Sequence, residues 1–249
     1  MAEVLITLGI IGIIAAITLS LIIPKFERVK NAQILKRAYG DLQIYVLDFI
    51  REKCELENLS NCCPSDGQFV TEFQKYLYDK QNFHLMNPKK TASSWVVFKD
   101  TKGQRNSLGQ SIPFEVNNGS SSRYLGSPTG LYAFFISNFP YDNYYSVNSD
   151  KFRARIHIMT DMSYTGILKP SSLVQSEPNR KVPTPGKNMF EAFVLNSAKV
   201  IPNGTDLCVK SSYYCKSLKN TPCMTLDIKG STTCLQQIIN DSWQIKYYN

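Results

Sequence analysis

Seven cysteines, two histidines and one carboxylate at the head of an apolar run are the side chains of this 249-residue chain with the most chemistry to offer. The cysteines form two groups: Cys54, Cys62 and Cys63, then Cys208, Cys215, Cys223 and Cys234. A zinc ribbon would need C-x-x-C pairs, and no such pair occurs. Thiol catalysis would need a local signature around one cysteine, and none is present. The remaining chemistry is pairing. Disulfides place the body in an oxidising compartment, outside the cytoplasmic membrane. Cys54 is expected to close a short loop with Cys62 or Cys63, and the four later cysteines allow three pairings. A vicinal Cys62–Cys63 bridge is strained and is not expected. The odd count leaves at least one thiol free or bonded between chains.

The histidines are His84 and His157, and His157 falls on an expected strand, where a structural role suits it. There is no H-E-x-x-H, G-x-S-x-G, Walker or G-x-G-x-x-G motif. Asp227 and Asp241 share no spacing that would pair them for acid–base work. No catalytic residue and no cofactor are assigned, and the chain reads as a non-enzyme. Sequons at Asn58, Asn118, Asn203 and Asn240 read as chance in an Asn- and Ser-rich chain.

The carboxylate is Glu3. Behind it, Val4–Ile23 is a run of twenty residues without charge or proline. As a helix it rises about 30 Å, the thickness of a bilayer core. Gly9, Gly12, Ala15 and Ala16 give it small-residue spacing that lets another helix approach closely. Pro24 follows, then Lys25, Arg28 and Lys30. A buried core helix would not be apolar all round in a chain of this size. A cleaved signal would have a basic start and a shorter apolar run. A simple anchor accounts for the run but not for Glu3, since a carboxylate at the edge of a span is costly unless it is paired. A self-associating helix could pair it with a cation of the next subunit.

The span predicts a continuation. Phe26, Val29, Leu35, Ala38, Leu42, Tyr45, Val46 and Phe49 recur at three or four residues, with Lys30, Lys36, Arg37, Asp41 and Asp48 largely on other faces. Gly40 weakens this helix by about 1 kcal/mol without breaking it. One helix over Ala2–Lys53, bent near Ser20–Pro24, is expected. Residues 1–24 form its membrane or filament-core half, and residues 25–53 form an amphipathic half that packs on a head of residues 54–249. The head is divided into a variable region (54–129), an antiparallel sheet (130–204) and a Cys-rich end (205–249). About 195 residues remain for it, enough for one core. The net charge of +8 is spread along the chain. Its densest group, Lys89, Lys90, Lys99, Lys102 and Arg105, reads as a solvated face.

In the head, "TEFQKYLYDKQNF" predicts a short helix that partly buries Phe73, Tyr76, Leu77 and Phe83. "SSWVVFKD" predicts a strand, and "VNNGSSSRYLGSPTG" a loop. "GLYAFFISNF" and "FRARIHIMTDM" predict strands, the second alternating Phe152, Ala154, Ile156 and Ile158 against Arg153, Arg155, His157 and Met159. "MFEAFVLNSAKVIPNG" predicts a hairpin turning near Asn196–Ala198. An α+β fold results, with the long helix packed on an antiparallel sheet so that both apolar faces are covered.

"AEVLITLGIIGIIAAITL" resembles the start of a type IV pilin or a type II secretion pseudopilin. Such chains begin with a short basic leader ending in Gly, then Phe-Thr-Leu, one residue and Glu. Glu3 stands at the family glutamate. Met1-Ala2 stand where the family has the end of that motif, so a truncated or late start is expected. Ser20 stands where the family often has proline. The basic residues after the span would hold the body inside by the positive-inside rule. The cysteines put it outside, and a missing basic leader would resolve the conflict.

The resemblance implies a pilin-like fold and a partner set. A prepilin peptidase would cut and N-methylate the full-length precursor, and inner-membrane assembly machinery would take it up. Glu3 would then neutralise the terminal amine of a neighbouring subunit, a pairing that makes two charges tolerable in an apolar setting. The implied location is the bacterial cytoplasmic membrane, with the head outside the cytoplasm, and then a periplasmic or cell-surface filament. A weaker likeness to pseudopilins covers Ile156–Gly204, through Asp161, "PGKNMF" and "IPNG". Asp161 is its one calcium candidate. With Asn-Gly lost from the turn and Asn188 at the usual Asp, no metal is expected. "CLQQIINDSWQIKYY", with Cys234 and Trp243, resembles the family's closing segment. Trp243 reads as a plain core or rim aromatic.

The leading reading is a structural subunit of a pilus-like or pseudopilus filament. A minor pilin that binds DNA or an adhesive ligand is the second, and steep loss of DNA binding with salt would mark it. A singly anchored envelope protein unrelated to filaments is the third.

Overall fold

A computed structural model of the chain describes residues 2–55, 58–85, 96–97, 113–114, 123–138, 146–147, 150–160, 186, 188–204 and 234–246. Helix α1 runs unbroken from Ala2 to Lys53, with Pro24 inside it and Arg51 and Lys53 in its last turn. Its 52 residues span about 78 Å. Pro24 offers no N–H to the Ser20 carbonyl, so one helical bond is lost there, yet the helix continues on both sides. The closing cations suit the negative end of the helix dipole.

A four-residue helix, α2 (Leu59–Cys62), precedes α3 (Asp66–Lys80). Helix α3 starts earlier than "TEFQKYLYDK" predicts, because Ser65 caps it by accepting from the Gln68 N–H at 3.2 Å. Phe83 lies beyond the helix but is buried with Phe73, Tyr76 and Leu77.

The strands are β1 (His84–Leu85), β2 (Val96–Val97), β3 (Pro113–Phe114), β4 (Arg123–Gly126), β5 (Ala133–Asn138), β6 (Ser146–Val147), β7 (Asp150–Met159), β8 (Met189–Leu195) and β9 (Val200–Pro202). A short helix, α4 (Cys234–Asn240), ends the described chain's elements. The main sheet runs β1-β4-β5-β7-β8-β9, every neighbouring pair antiparallel, with β6 paired to the start of β7. The α+β architecture is therefore a long N-terminal helix packed on an antiparallel sheet. The β8–β9 hairpin turns at Asn196–Lys199, where Ala198 takes a φ of 62°.

One predicted loop is a strand. "RYLG", inside the Ser- and Gly-rich stretch, forms β4 and pairs Leu125 with Phe134 and Tyr124 with Phe135. Its composition conceals two apolar residues that the neighbouring strand recruits.

The core lies between the sheet and the helices. Leu35, Ala38, Leu42, Val46 and Phe49 of α1 meet Phe69, Phe73 and Leu77 of α3. Phe134, Ile136, Ala154, Ile156, Ile158, Phe190, Ala192 and Val194 meet them from the sheet. The Phe49 ring packs edge-on against Phe69, Phe73 and Tyr76 at centroid distances of 5.7, 5.4 and 5.5 Å. Phe26 and Val29 do not join this stripe as expected, for they are 69% and 57% exposed. The head-facing positions begin at Asn31 and Ala32.

Strand β7 departs from the simple alternation. A bulge between Phe152 and Ala154 pairs Phe152 with Leu195 and Ala154 with Val194, leaving Arg153 as the extra residue. One inserted residue exchanges the faces of everything before it. Phe152 thus joins Leu195, Ile201 and Phe193 on the far side of the sheet, away from Ala154, Ile156 and Ile158. That far side is not a solvent face either, since His157, Glu191 and Met159 are at most 4% exposed.

Candidate assembly surface on the N-terminal helix

The first half of α1 presents apolar side chains in every direction. Val4, Ile6, Leu8, Ile10, Ile13, Ile17 and Ile22 are all between 53% and 64% exposed, and none of the apolar window is buried by the rest of the chain. It is the one described helix long and apolar enough to cross a membrane by length and composition. Its hydroxyls are turned back on the helix. Thr7 donates to the Val4 carbonyl at 2.9 Å, Thr18 to Ile14 at 2.9 Å and Ser20 to Ile17 at 2.7 Å. Such back-bonding satisfies the hydroxyl donors without water, which an apolar surrounding requires.

Gly9 and Gly12 lie open on this half, with nothing within 4 Å of where a Cβ would sit. Ala15 and Ala16 are exposed beside them. Among the described residues, these small residues have no packing partner. Glu3 belongs to the first turn of α1, and its side chain lies outside the described residues.

The second half has two faces. One enters the core. The other, reached by steps of four, three and four, carries Gly40, Ile44, Leu47 and Arg51, with Ile44 and Leu47 55% and 52% exposed. The same steps lead back through Gln33 to Val29, Phe26 and Ile22. A stripe opposite the head thus continues from the bare apolar half to the level of the head, broken only by Gln33, Lys36 and Arg37.

The head is tied to α1 by polar contacts at its rim. Tyr39 donates from its hydroxyl to the Val200 carbonyl at 3.0 Å. Burial pushes its phenol up to about 12. Tyr132 donates to Asp41 Oδ2 at 2.6 Å. Trp243 packs against the core, its ring 6.0 Å from that of Tyr39.

Of the cysteines, Cys54 and Cys62 form a disulfide with Cα atoms 5.0 Å apart. Cys63 is a free, buried thiol whose Sγ lies 3.8 Å from that of Cys62. Burial raises its pKa, reinforced by Glu72 and opposed by Arg153 and Lys53. Cys234 is disulfide-bonded. Cys208, Cys215 and Cys223 lie outside the described residues, as do Asp161 and the Lys89–Arg105 group. No group of three or more His, Cys, Asp or Glu among the described residues is placed to hold a metal ion.

Two buried polar arrangements escaped the sequence reading. Arg153, thrown toward α3 by the bulge, sits 2.9 Å from Asp66 Oδ1 and donates to the Cys63 carbonyl. Across the far face, a row of Phe135, His157 and Glu191 is fixed by strand register. His157 Nε2 lies 3.2 Å and Arg155 Nε 3.1 Å from Glu191 Oε1, Asn203 donates to Oε2, and Phe135 stacks on the imidazole. Burial alone would raise the Glu191 carboxyl, but Arg155 and the His157 hydrogen bond outweigh it and hold it below the usual range. Burial lowers His157, against the hydrogen bond and charge of Glu191. Paired arginines at alternate positions in a strand (Arg153, Arg155) were the available signal, since a buried and a half-buried cation require carboxylates nearby.

No family model, curated protein or solved structure matches the chain.

Proposed function

We propose that this protein is a structural subunit of a type IV pilus-like or type II secretion pseudopilus filament, held in the membrane and then assembled through α1. The observation that carries the reading is the division of one unbroken helix. Among the described residues nothing covers its first half, and its second half is built into the head. An anchor alone needs neither the continuity nor the exposed stripe of Ile44 and Leu47 beside the head. In this reading the bare half first rests in lipid and then packs among the same halves of other subunits. Glu3 pairs with a neighbour's terminal amine, Gly9, Gly12, Ala15 and Ala16 admit close approach, and the head lies outside the cytoplasm, where Cys54 and Cys62 remain bonded.

The test is Glu3→Ala in the native host, with membrane insertion and sheared filaments measured side by side. Insertion is expected to persist while incorporation into filaments falls. Normal incorporation would remove Glu3 from the mechanism. A wild-type chain that never leaves the membrane fraction, with the assembly machinery present, would leave a singly anchored envelope protein.

A further inference from the structure

We propose that Pro24–Lys30 is a lipid-headgroup collar selective for anionic phospholipid, an inference that rests on the membrane-held state proposed above. The apolar run ends at Ile23, and the first head-packed residues are Asn31 and Ala32. Seven residues lie between them. They rise about 10 Å as helix, enough to cross one headgroup layer of roughly 5–8 Å with a few Å to spare. Their composition matches that layer. Lys25, Arg28 and Lys30 stand against the one carboxylate of Glu27. Phe26 is 69% exposed and Val29 57%, so an aromatic and an aliphatic side chain project among the cations without cover from the head. An exposed Phe and Val beside cations can dip into the boundary between headgroups and acyl chains, and lysine or arginine beside a span is drawn to anionic headgroups. Lys36, exposed one to two turns further on, extends the same sign of charge, while Arg37 beside it is paired with Asp41 at 3.7 Å. The collar fixes how deep α1 sits, and so holds the head just clear of the bilayer with its stripe accessible.

The experiment uses the full chain in phosphatidylcholine vesicles, with trace spin-labelled phosphatidylglycerol or phosphatidylcholine. Electron spin resonance then gives the motionally restricted lipid population and the relative association of the two headgroups. Phosphatidylglycerol is expected to associate at least about threefold more strongly, with the preference falling toward unity at high salt and in Lys25→Gln/Arg28→Gln/Lys30→Gln. Lys25→Arg/Lys30→Arg is expected to retain it. Restricted lipid with no headgroup preference, or a preference the triple variant keeps, overturns the collar and leaves the membrane reading standing. No restricted lipid at all overturns both.

Discussion

The Tyr39 hydroxyl donates to the Val200 carbonyl oxygen at 3.0 Å, joining the middle of α1 to the edge strand β9 across 161 residues of sequence. Among the described residues, that strand has one sheet neighbour, β8. The phenol thus satisfies a polar group that a helix covers and a strand does not.

Tyr39→Phe keeps the ring and removes the donor. A buried acceptor left unmet costs about 1–3 kcal/mol, so the urea midpoint of the head is expected to fall accordingly. No change would mean that Val200 finds water instead.

Asp66→Ala is expected to be more severe. Arg153 and Asp66 are 6% and 8% exposed, and removing the carboxylate strands the guanidinium. Breaking a buried pair costs about 3–5 kcal/mol, whereas replacing both members by apolar groups is often nearly neutral. Arg153→Met in the Asp66→Ala background is therefore expected to recover much of the loss in equilibrium unfolding. Additive losses in the double variant would show that the pair is not coupled.

That pair also shows where the sequence ceased to be legible. Helix α1 was visible because twenty uncharged residues and then a 3.6-residue stripe are long, redundant patterns. The β8–β9 hairpin was visible because Asn196–Ala198 interrupts two apolar runs. A bulge is a single residue of register, and Arg153 carries no local mark of it. Placing Phe152 with Ile156 was the result of an alternation that holds only from Ala154 onward. Strand β4 was hidden by the Ser and Gly around it, and the outward turn of Phe26 and Val29 by a stripe that takes in residues on both faces of the helix. For the candidate assembly surface, the small residues and Glu3 could be named from sequence. The exposed Ile44 and Leu47 could be found only once the opposite face was known to be buried.

Substitutions at Gly40 separate the stability of the head from the proposed filament assembly. Nothing lies within 4 Å of a Cβ at Gly40, which is inside α1 with ordinary helical backbone. Alanine there is expected to stabilise the head by about 0.5–1 kcal/mol through the lower entropy of the unfolded chain. Gly40→Trp is expected to leave the fold intact and to depress filament incorporation, because it fills the stripe between Arg37 and Ile44. Unchanged incorporation would remove that part of the stripe from the subunit contact.

The His157–Glu191 row gives the head a dependence on acid with a definite sign. In the fold, burial lowers His157, with Arg155 reinforcing the effect and Glu191 opposing it. The unfolded imidazole takes up its proton near pH 6.5, and the folded one only at lower pH. Over that interval the unfolded state binds more protons, so stability falls as pH drops through about 6.5. Glu191 acts lower. Its folded pKa is depressed, so its contribution is present above about pH 4.3 and is lost as pH falls through the folded value. Urea unfolding from pH 8 to 3 is expected to show both stages. His157→Gln should flatten the first stage, since a neutral amide has no proton to gain, and should leave a reduced second stage carried by Arg155. A first stage that persists in the variant would assign it to a group other than His157.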